Sequence, residues 1–138
     1  MTNSTLGQKV KQNIIMVADD DLFMREQVKI AFNGLAKIVE AEDGEQVLSL
    51  YKQFNPSVLL LDIHMPKKSG KIVLREILDY DEKACVIMLS ADSNSKNVQE
   101  SAMVGAKGFI TKPFTKEVLF KYIMPALRFD DSSISDLI

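Results

Sequence analysis

The sequence predicts an α/β fold, a doubly wound five-stranded parallel sheet covered by helices on both faces. Three observations carry that prediction. Short apolar runs alternate with longer amphipathic stretches along 138 residues, which is one domain's worth of chain. The runs are mostly continuous in hydrophobicity rather than alternating, as in strands buried on both faces. Strand starts recur every 20–27 residues or so, which suits a βαβ crossover containing a helix.

Taken in order, the strand runs are Ile14–Ala18, Lys37–Ala41, Ser57–Leu61, Ala84–Leu89 and Gly108–Thr111. The first helix carries Leu22, Val28, Ile30, Ala31 and Phe32, with Gly34 placed as its stop. Val47, Leu48, Leu50, Tyr51 and Phe54 mark the second, closed by Asn55-Pro56. Ile72, Val73, Leu74, Ile77 and Leu78 recur at helical spacing in the third. The fourth, Ser95 to Val104, is polar and weakly patterned, and is expected to be the least firmly packed. Thr115 caps the fifth, in which Pro125 removes a backbone donor and should kink or fray the last turns. Residues 13–128 form the predicted domain, 1–12 a flexible N-terminal segment and 129–138 a C-terminal tail.

Composition narrows the function. Hydrophobic residues make up 46% and charged residues 26%, which supplies a core and a soluble surface. A net charge of −2 argues against nucleic-acid binding through bulk charge, so no direct contact with nucleic acid is expected. No apolar run approaches the roughly 18 residues of a membrane span, and MTNSTLGQKVKQN lacks the apolar stretch of a signal peptide. The single Cys85 fits a reducing cytoplasm and reads as a buried small hydrophobe. Met16, Met88 and Met103 read as core filler, and Lys67 and Lys68 as a solvated loop edge. With one His and one Cys, any metal must be held by oxygen.

In a doubly wound sheet, ligands lie beyond the carboxyl ends of the strands, where the winding reverses. The first strand runs into Asp19, Asp20 and Asp21, and the third ends in Asp62. One Asp is enough to cap the following helix, and three exceed that need. In a 2-1-3-4-5 sheet the first and third strands flank the reversal point, so Asp19, Asp20 and Asp62 converge there. Like charges about 4 Å apart repel by about 1 kcal/mol in water and about 4 at an effective dielectric of 20. A hard cation such as Mg²⁺ compensates such a cluster. The fourth strand delivers Ser90 to the same rim and the fifth delivers Lys112. Carboxylates, a hydroxyl and an ammonium suit a phosphoryl group on a carboxylate, with Asp62 as nucleophile.

The segments IIMVADDD, AEDGEQVL, LLLDIHMPKKSG, VIMLSA and GAKGFITKPF occur in that order. Together they resemble the receiver domain of two-component response regulators over about residues 13–127. The resemblance implies a flavodoxin-like (βα)5 fold with Asp62 as phosphoacceptor and Asp19 and Asp20 as the acidic pair holding Mg²⁺ or Mn²⁺. It implies the His64 backbone carbonyl as a further metal ligand, Ser90 as switch hydroxyl, Phe109 as switch aromatic and Lys112 as phosphate-binding lysine. A cis peptide before Pro113 is part of the same pattern. The implied partners are a sensor histidine kinase or histidine phosphotransfer protein and a downstream protein target. Phosphorylation adds roughly −1.5 to −2 charge. Ser90 then moves toward the phosphate, Phe109 swings inward, and the surface of the fourth helix, fifth strand and fifth helix is re-biased.

Such a protein is a signalling phosphoacceptor rather than an enzyme, apart from self-catalysed transfer and slow autodephosphorylation. His64 lies in a loop before Met65-Pro66, so it is not read as a phosphohistidine. With Asp92 it is expected to tune the lifetime of the acyl phosphate in a pH-dependent way. Three rival readings fit the residues less well. An FMN-binding redox protein needs a Ser/Thr/Gly-rich phosphate loop where this chain has three Asp. A Mg²⁺-dependent phosphohydrolase needs a DxD-type loop and a cap, and no insertion is large enough for one. A phosphorylation-independent receiver, acting as an interaction module, is opposed by the intact set Asp19, Asp20, Asp62, Ser90 and Lys112. The length favours a receiver standing alone over a fragment of a longer regulator.

Overall fold

The computed structural model describes residues 12–92 and 94–129, apart from the side chain of Ser95. The expectations placed on residues 1–11 and 130–138 lie outside the described residues. Five parallel strands form one sheet, β1 (Ile14–Ala18), β2 (Lys37–Ala41), β3 (Val58–Asp62), β4 (Val86–Ser90) and β5 (Gly108–Thr111). Between and after them come α1 (Leu22–Ala31), α2 (Gly44–Phe54), α3 (Gly70–Tyr80), α4 (Ser95–Val104) and α5 (Lys116–Ile123). The strand order is β2-β1-β3-β4-β5, as predicted.

Two apolar cores flank the sheet because successive strand side chains point to opposite faces. Met16, Leu59, Leu61 and Met88 pack with Val47, Tyr51, Val73, Leu74 and Ile77 of α2 and α3. Ile15, Val17, Leu60, Ile87 and Leu89 pack with Val28 of α1, Phe32 at its end, and Leu119 and Ile123 of α5. Every residue of β3 and β4 is buried, which explains their unbroken apolar spelling. Each such side chain contributes about 1.5–3 kcal/mol relative to exposure.

Helix starts follow the capping residues. Asp21, Asp43, Ser69, Asn94 and Thr115 each accept a hydrogen bond from a backbone N–H of the first turn. Asn55 closes α2 in the left-handed conformation, the end that Asn55-Pro56 predicts. At Pro125, α5 gives way to a 3₁₀ turn over Met124–Ala126.

Several details depart from the sequence reading. β3 begins one residue later, at Val58, where its pairing with Ile15 of β1 starts, and includes Asp62; β4 runs Val86–Ser90 rather than Ala84–Leu89, because its ladder with β3 starts at Val86. The first helix stops at Ala31 rather than at Gly34. Phe32 caps it and turns inward, its ring 5.0 Å from that of Phe120. Gly34, at φ 84°, serves the turn that follows. Leu22, Ile30 and Ile72 belong to helical stripes yet are exposed. Met103 is 87% exposed and is no core filler, since α4 turns its apolar contact toward the sheet through Val104. Cys85 precedes β4 and is half-buried, not buried. Lys67 is exposed, as a solvated loop edge requires, with Asp43 3.5 Å away, whereas Lys68 is half-buried and pairs with Glu76 at 2.8 Å.

Candidate functional site

Parallel pairing sets the ends of four adjacent strands at one edge. Ala18 pairs with Leu61, Asp62 with Leu89, and Ser90 with Thr111. Asp19, Asp20, Asp62, Ser90 and Lys112 therefore arrive at a common rim from four different strands. Asp19, Asp20 and Asp62 each offer a carboxylate oxygen within 4.8 Å of the others. Asp19 and Asp62 are buried, whereas Asp20 is exposed.

Lys112 bridges the two buried acids. Its Nζ lies 2.5 Å from Asp19 Oδ2 and 3.2 Å from Asp62 Oδ2. The β5 ladder aims it, with the Lys112 backbone N–H donating to the Ser90 carbonyl at 2.9 Å, and the peptide to Pro113 is cis. Asp19 Oδ1 accepts from the Asp21 N–H at 2.9 Å, and Asp62 Oδ1 from the His64 N–H at 3.1 Å. Asp19 Oδ2 receives no well-aligned hydrogen bond; its compensation is the ammonium of Lys112.

Burial pushes the Asp62 carboxyl above the ordinary carboxylate value, and the charge of Asp19 adds to the effect. Lys112 and the His64 N–H oppose it. Burial pulls Lys112 down, but Asp19 and Asp62 together outweigh it and leave the ammonium held above its usual value. The donor set is all oxygen, two of its members are desolvated, and one oxygen has only Lys112 for company. These features fit a hard divalent cation.

Ser90 is fully buried, and its Oγ accepts from the Asp92 N–H at 3.0 Å, which leaves the hydroxyl proton free to donate. Phe109 is half-buried beside a cavity of about 150 Å³ lined also by Val98, Ser101 and Ala106. His64 and Asp92 are both exposed at the rim. The Asp92 carboxylate accepts from Asn94 N–H at 3.2 Å and from Asn94 Nδ2 at 3.0 and 3.1 Å, and no bond to His64 is found among the described residues. A larger groove of about 520 Å³ lies between α3 and α4 and includes none of these residues.

Sequence reasoning missed three supports. A Cβ on Gly70 would overlap the Asp62 carbonyl oxygen, and one on Gly44 would overlap the Lys68 carbonyl oxygen. The Gly70 N–H donates to Ile63 O at 2.7 Å and the Gly44 N–H to Pro66 O at 3.1 Å, pinning the loop after Asp62 from both sides. Arg25, buried, donates to the Asp19 backbone carbonyl. The glycines stand in the quoted segments AEDGEQVL and LLLDIHMPKKSG, but spacing alone does not show what they touch.

Known proteins are similar to this chain in sequence and in fold. Residues 15–124 match the model of the response regulator receiver domain. The chemotaxis protein CheY of Bacillus subtilis is 36% identical over 116 residues, covering 83% of this chain and 97% of that protein. Protein CcdB of the same organism is 43% identical over 102 residues, covering 72% and 85%. Among solved structures, a CheX-CheY-BeF3-Mg+2 complex from Borrelia burgdorferi aligns with a TM-score of 0.77 at 32% identity, covering 82% of this chain and 87% of that one. The five-stranded order, the acid cluster bridged by a lysine and the match over most of the length lead to one conclusion: the chain belongs to the receiver domain family of two-component response regulators.

Proposed function

We propose that Asp62 accepts a phosphoryl group from the phosphohistidine of a sensor kinase or phosphotransfer protein. The observation that carries this reading is the Lys112 ammonium set between Asp19 and Asp62, at 2.5 and 3.2 Å. Its charge opposes the burial and the Asp19 charge that push the Asp62 carboxyl up, and so favours the nucleophilic carboxylate form. An Asp62 oxygen attacks phosphorus, and the P–N bond of the donor breaks with its electron pair returning to the imidazole. Lys112 is placed to pair with one phosphoryl oxygen, and the free Ser90 hydroxyl proton to donate to another. Asp19, Asp20, Asp62 and the His64 carbonyl would hold Mg²⁺ or Mn²⁺. When bound, that ion neutralises charge on the phosphoryl oxygens. The donor supplies the high-energy bond; this chain supplies position and charge.

Ser90 and Phe109 carry the switch in this reading. Phe109, half-buried on β5, would swing inward to fill the space that Ser90 vacates as it turns to the phosphate. The surface of α4, β5 and α5 is then the face that a downstream protein reads. His64 and Asp92 stand at the rim as the proposed tuning pair for the lifetime of the phosphate. No helix among the described residues is long and apolar enough to cross a membrane, and a cytoplasmic location belongs to the same proposal.

Intact mass after incubation with Mg²⁺ and acetyl phosphate or phosphoramidate tests the reading. One phosphoryl adduct is expected, absent in Asp62→Asn and without Mg²⁺. An adduct that survives Asp62→Asn, or none under any Mg²⁺ concentration, would overturn it. The decay of the adduct in His64→Ala, followed across about pH 5–8, reads the tuning role.

A further inference from the structure

The Asp19–Asp20 pair is held from behind by a buried arginine. Arg25 lies in the first turn of α1, its side chain 7% exposed, and its guanidinium is shared between two elements. Nη1 donates to the Asp19 backbone carbonyl at 2.7 Å, and Nε donates to Glu40 Oε1 of β2 at 2.9 Å. Nη2 lies 3.6 Å from Glu42 Oε1. Glu40 is fixed in turn by Lys29, 3.4 Å away, which also bonds Glu26. Arginine is seldom buried without partners. Here one arm of the fork is spent on the peptide unit that joins the two acids.

That peptide unit is planar and carries the Asp20 N–H, so a bond to its carbonyl fixes the orientation of the whole Asp19–Asp20 link. Asp19 has anchors of its own. Its N–H donates to Ala41 O at 3.1 Å, Oδ1 accepts from Asp21, and Oδ2 meets Lys112. The Asp20 carboxylate makes no hydrogen bond or ion pair among the described residues, and it is exposed. Its approach to Asp19 and Asp62 within 4.8 Å therefore rests on the backbone that Arg25 holds.

We infer that Arg25 is a positioning residue, whose forked contact to the Asp19 carbonyl and to Glu40 preorganises the oxygen cluster for a divalent cation. The inference rests on the reading of that cluster as a Mg²⁺ site. Arg25 touches none of the reacting atoms. Its charge is met by Glu40 and Glu42, so its contribution is orientation rather than field. A lysine keeps the charge but offers all its donors from one nitrogen, and does not reproduce a planar fork between two elements.

Calorimetric titration of Mg²⁺ into the wild type, Arg25→Met and Arg25→Lys decides the matter, with circular dichroism confirming that each is folded at the assay temperature. Partners of metal ligands ordinarily govern about 10–100-fold in affinity. Arg25→Met is expected to weaken Mg²⁺ binding by about 10-fold or more, and Arg25→Lys to restore only part of it. Unchanged affinity in Arg25→Met, with or without a lower melting temperature, would make Arg25 a packing residue and overturn the inference. Wild-type affinity in Arg25→Lys would overturn it as well, since charge alone would then suffice. If Arg25→Met fails to fold, the comparison of Arg25→Lys with the wild type decides alone. A wild type that binds no Mg²⁺ removes the site reading itself, and the inference with it. That outcome is distinct from a wild type that binds and variants that match it.

Discussion

At Asp62, burial and the neighbouring Asp19 work against ionisation, while Lys112 works for it, and the balance leaves the carboxyl raised. The consequence for stability has a definite sign. A folded-state value above the unfolded one means that the folded protein holds more protons between the two values. Stability therefore falls as pH rises through that window. Above that window the folded chain bears the cost of an ionised Asp62 beside Asp19. Asp62→Asn removes that charge and keeps the shape. It is expected to raise the free energy of unfolding by on the order of 1 kcal/mol, a fraction of the roughly 1–4 kcal/mol at stake between charges about 4 Å apart, because Lys112 loses a partner at the same time. The gain should vanish in acid below the carboxylate range, where wild-type Asp62 is itself neutral. Urea unfolding of both proteins at the two pH values measures it. A variant less stable than the wild type at neutral pH would show that the pairing with Lys112 outweighs the repulsion. Lys112 follows the opposite edge of the scale. Its folded value is raised, so the stability from its pairing is present below the unfolded lysine value of about 10.4 and is lost as pH rises through the folded one.

Among the helices, α4 is the one whose hold on the sheet is slightest. No apolar side chain described in it is buried; Val98 is at the edge of exposure, and the buried groups are Asn97 and Ser101. By contrast α3 buries Val73, Leu74 and Ile77. Local opening is cheapest where few apolar contacts are lost. Amide hydrogens in peptides covering Ser95–Val104 are therefore expected to exchange faster than those covering Gly70–Tyr80, as hydrogen-exchange mass spectrometry would show; equal protection would count against a loosely held α4. The weak helical pattern of SKNVQESAMV forecast this, as the continuous spelling of VLLLD and VIMLS forecast two wholly buried strands. What periodicity does not state is how far a neighbouring element reaches over a helix. Leu22, Ile30 and Ile72 share helical stripes with buried residues, yet lie beyond the edge of what covers them. Met103 lies in solvent for the same reason, since an apolar residue on a helix is buried only if something stands opposite. At the site, the charged residues at strand ends were legible because each breaks an apolar run at the same end. The residues that orient them were not. Gly44, Gly70 and Arg25 act on backbone atoms distant in sequence, and no local pattern encodes such a contact.

Across the whole molecule, the site exists only when the chain is folded. Asp19, Asp62, Ser90 and Lys112 come from four strands and meet because the sheet runs in the order β2-β1-β3-β4-β5. The formal net charge of −2 conceals this: three acids lie within 4.8 Å at one edge, and one half-buried ammonium answers two of them. An unfolded chain scatters those oxygens and has no comparable affinity for a hard cation. A divalent ion that binds the assembled cluster must then stabilise the fold by mass action, about 2.7 kcal/mol at a hundredfold excess over its Kd. The wild type is accordingly expected to gain stability with rising Mg²⁺, and the double variant Asp19→Asn, Asp20→Asn to gain little. That variant should also start from a higher baseline, since it no longer crowds like charges around Asp62. Urea unfolding across a Mg²⁺ series measures both effects in one experiment. A Na⁺ series at matched ionic strength separates specific binding from screening, which affects exposed pairs far more than buried ones. Equal stabilisation by the two salts would mean that the cluster is only screened, and that its three carboxylates do not form a cation site. A specific response to Mg²⁺ in the wild type, lost when Asp19 and Asp20 are neutralised, would tie the stability of the sheet to the chemistry at its edge.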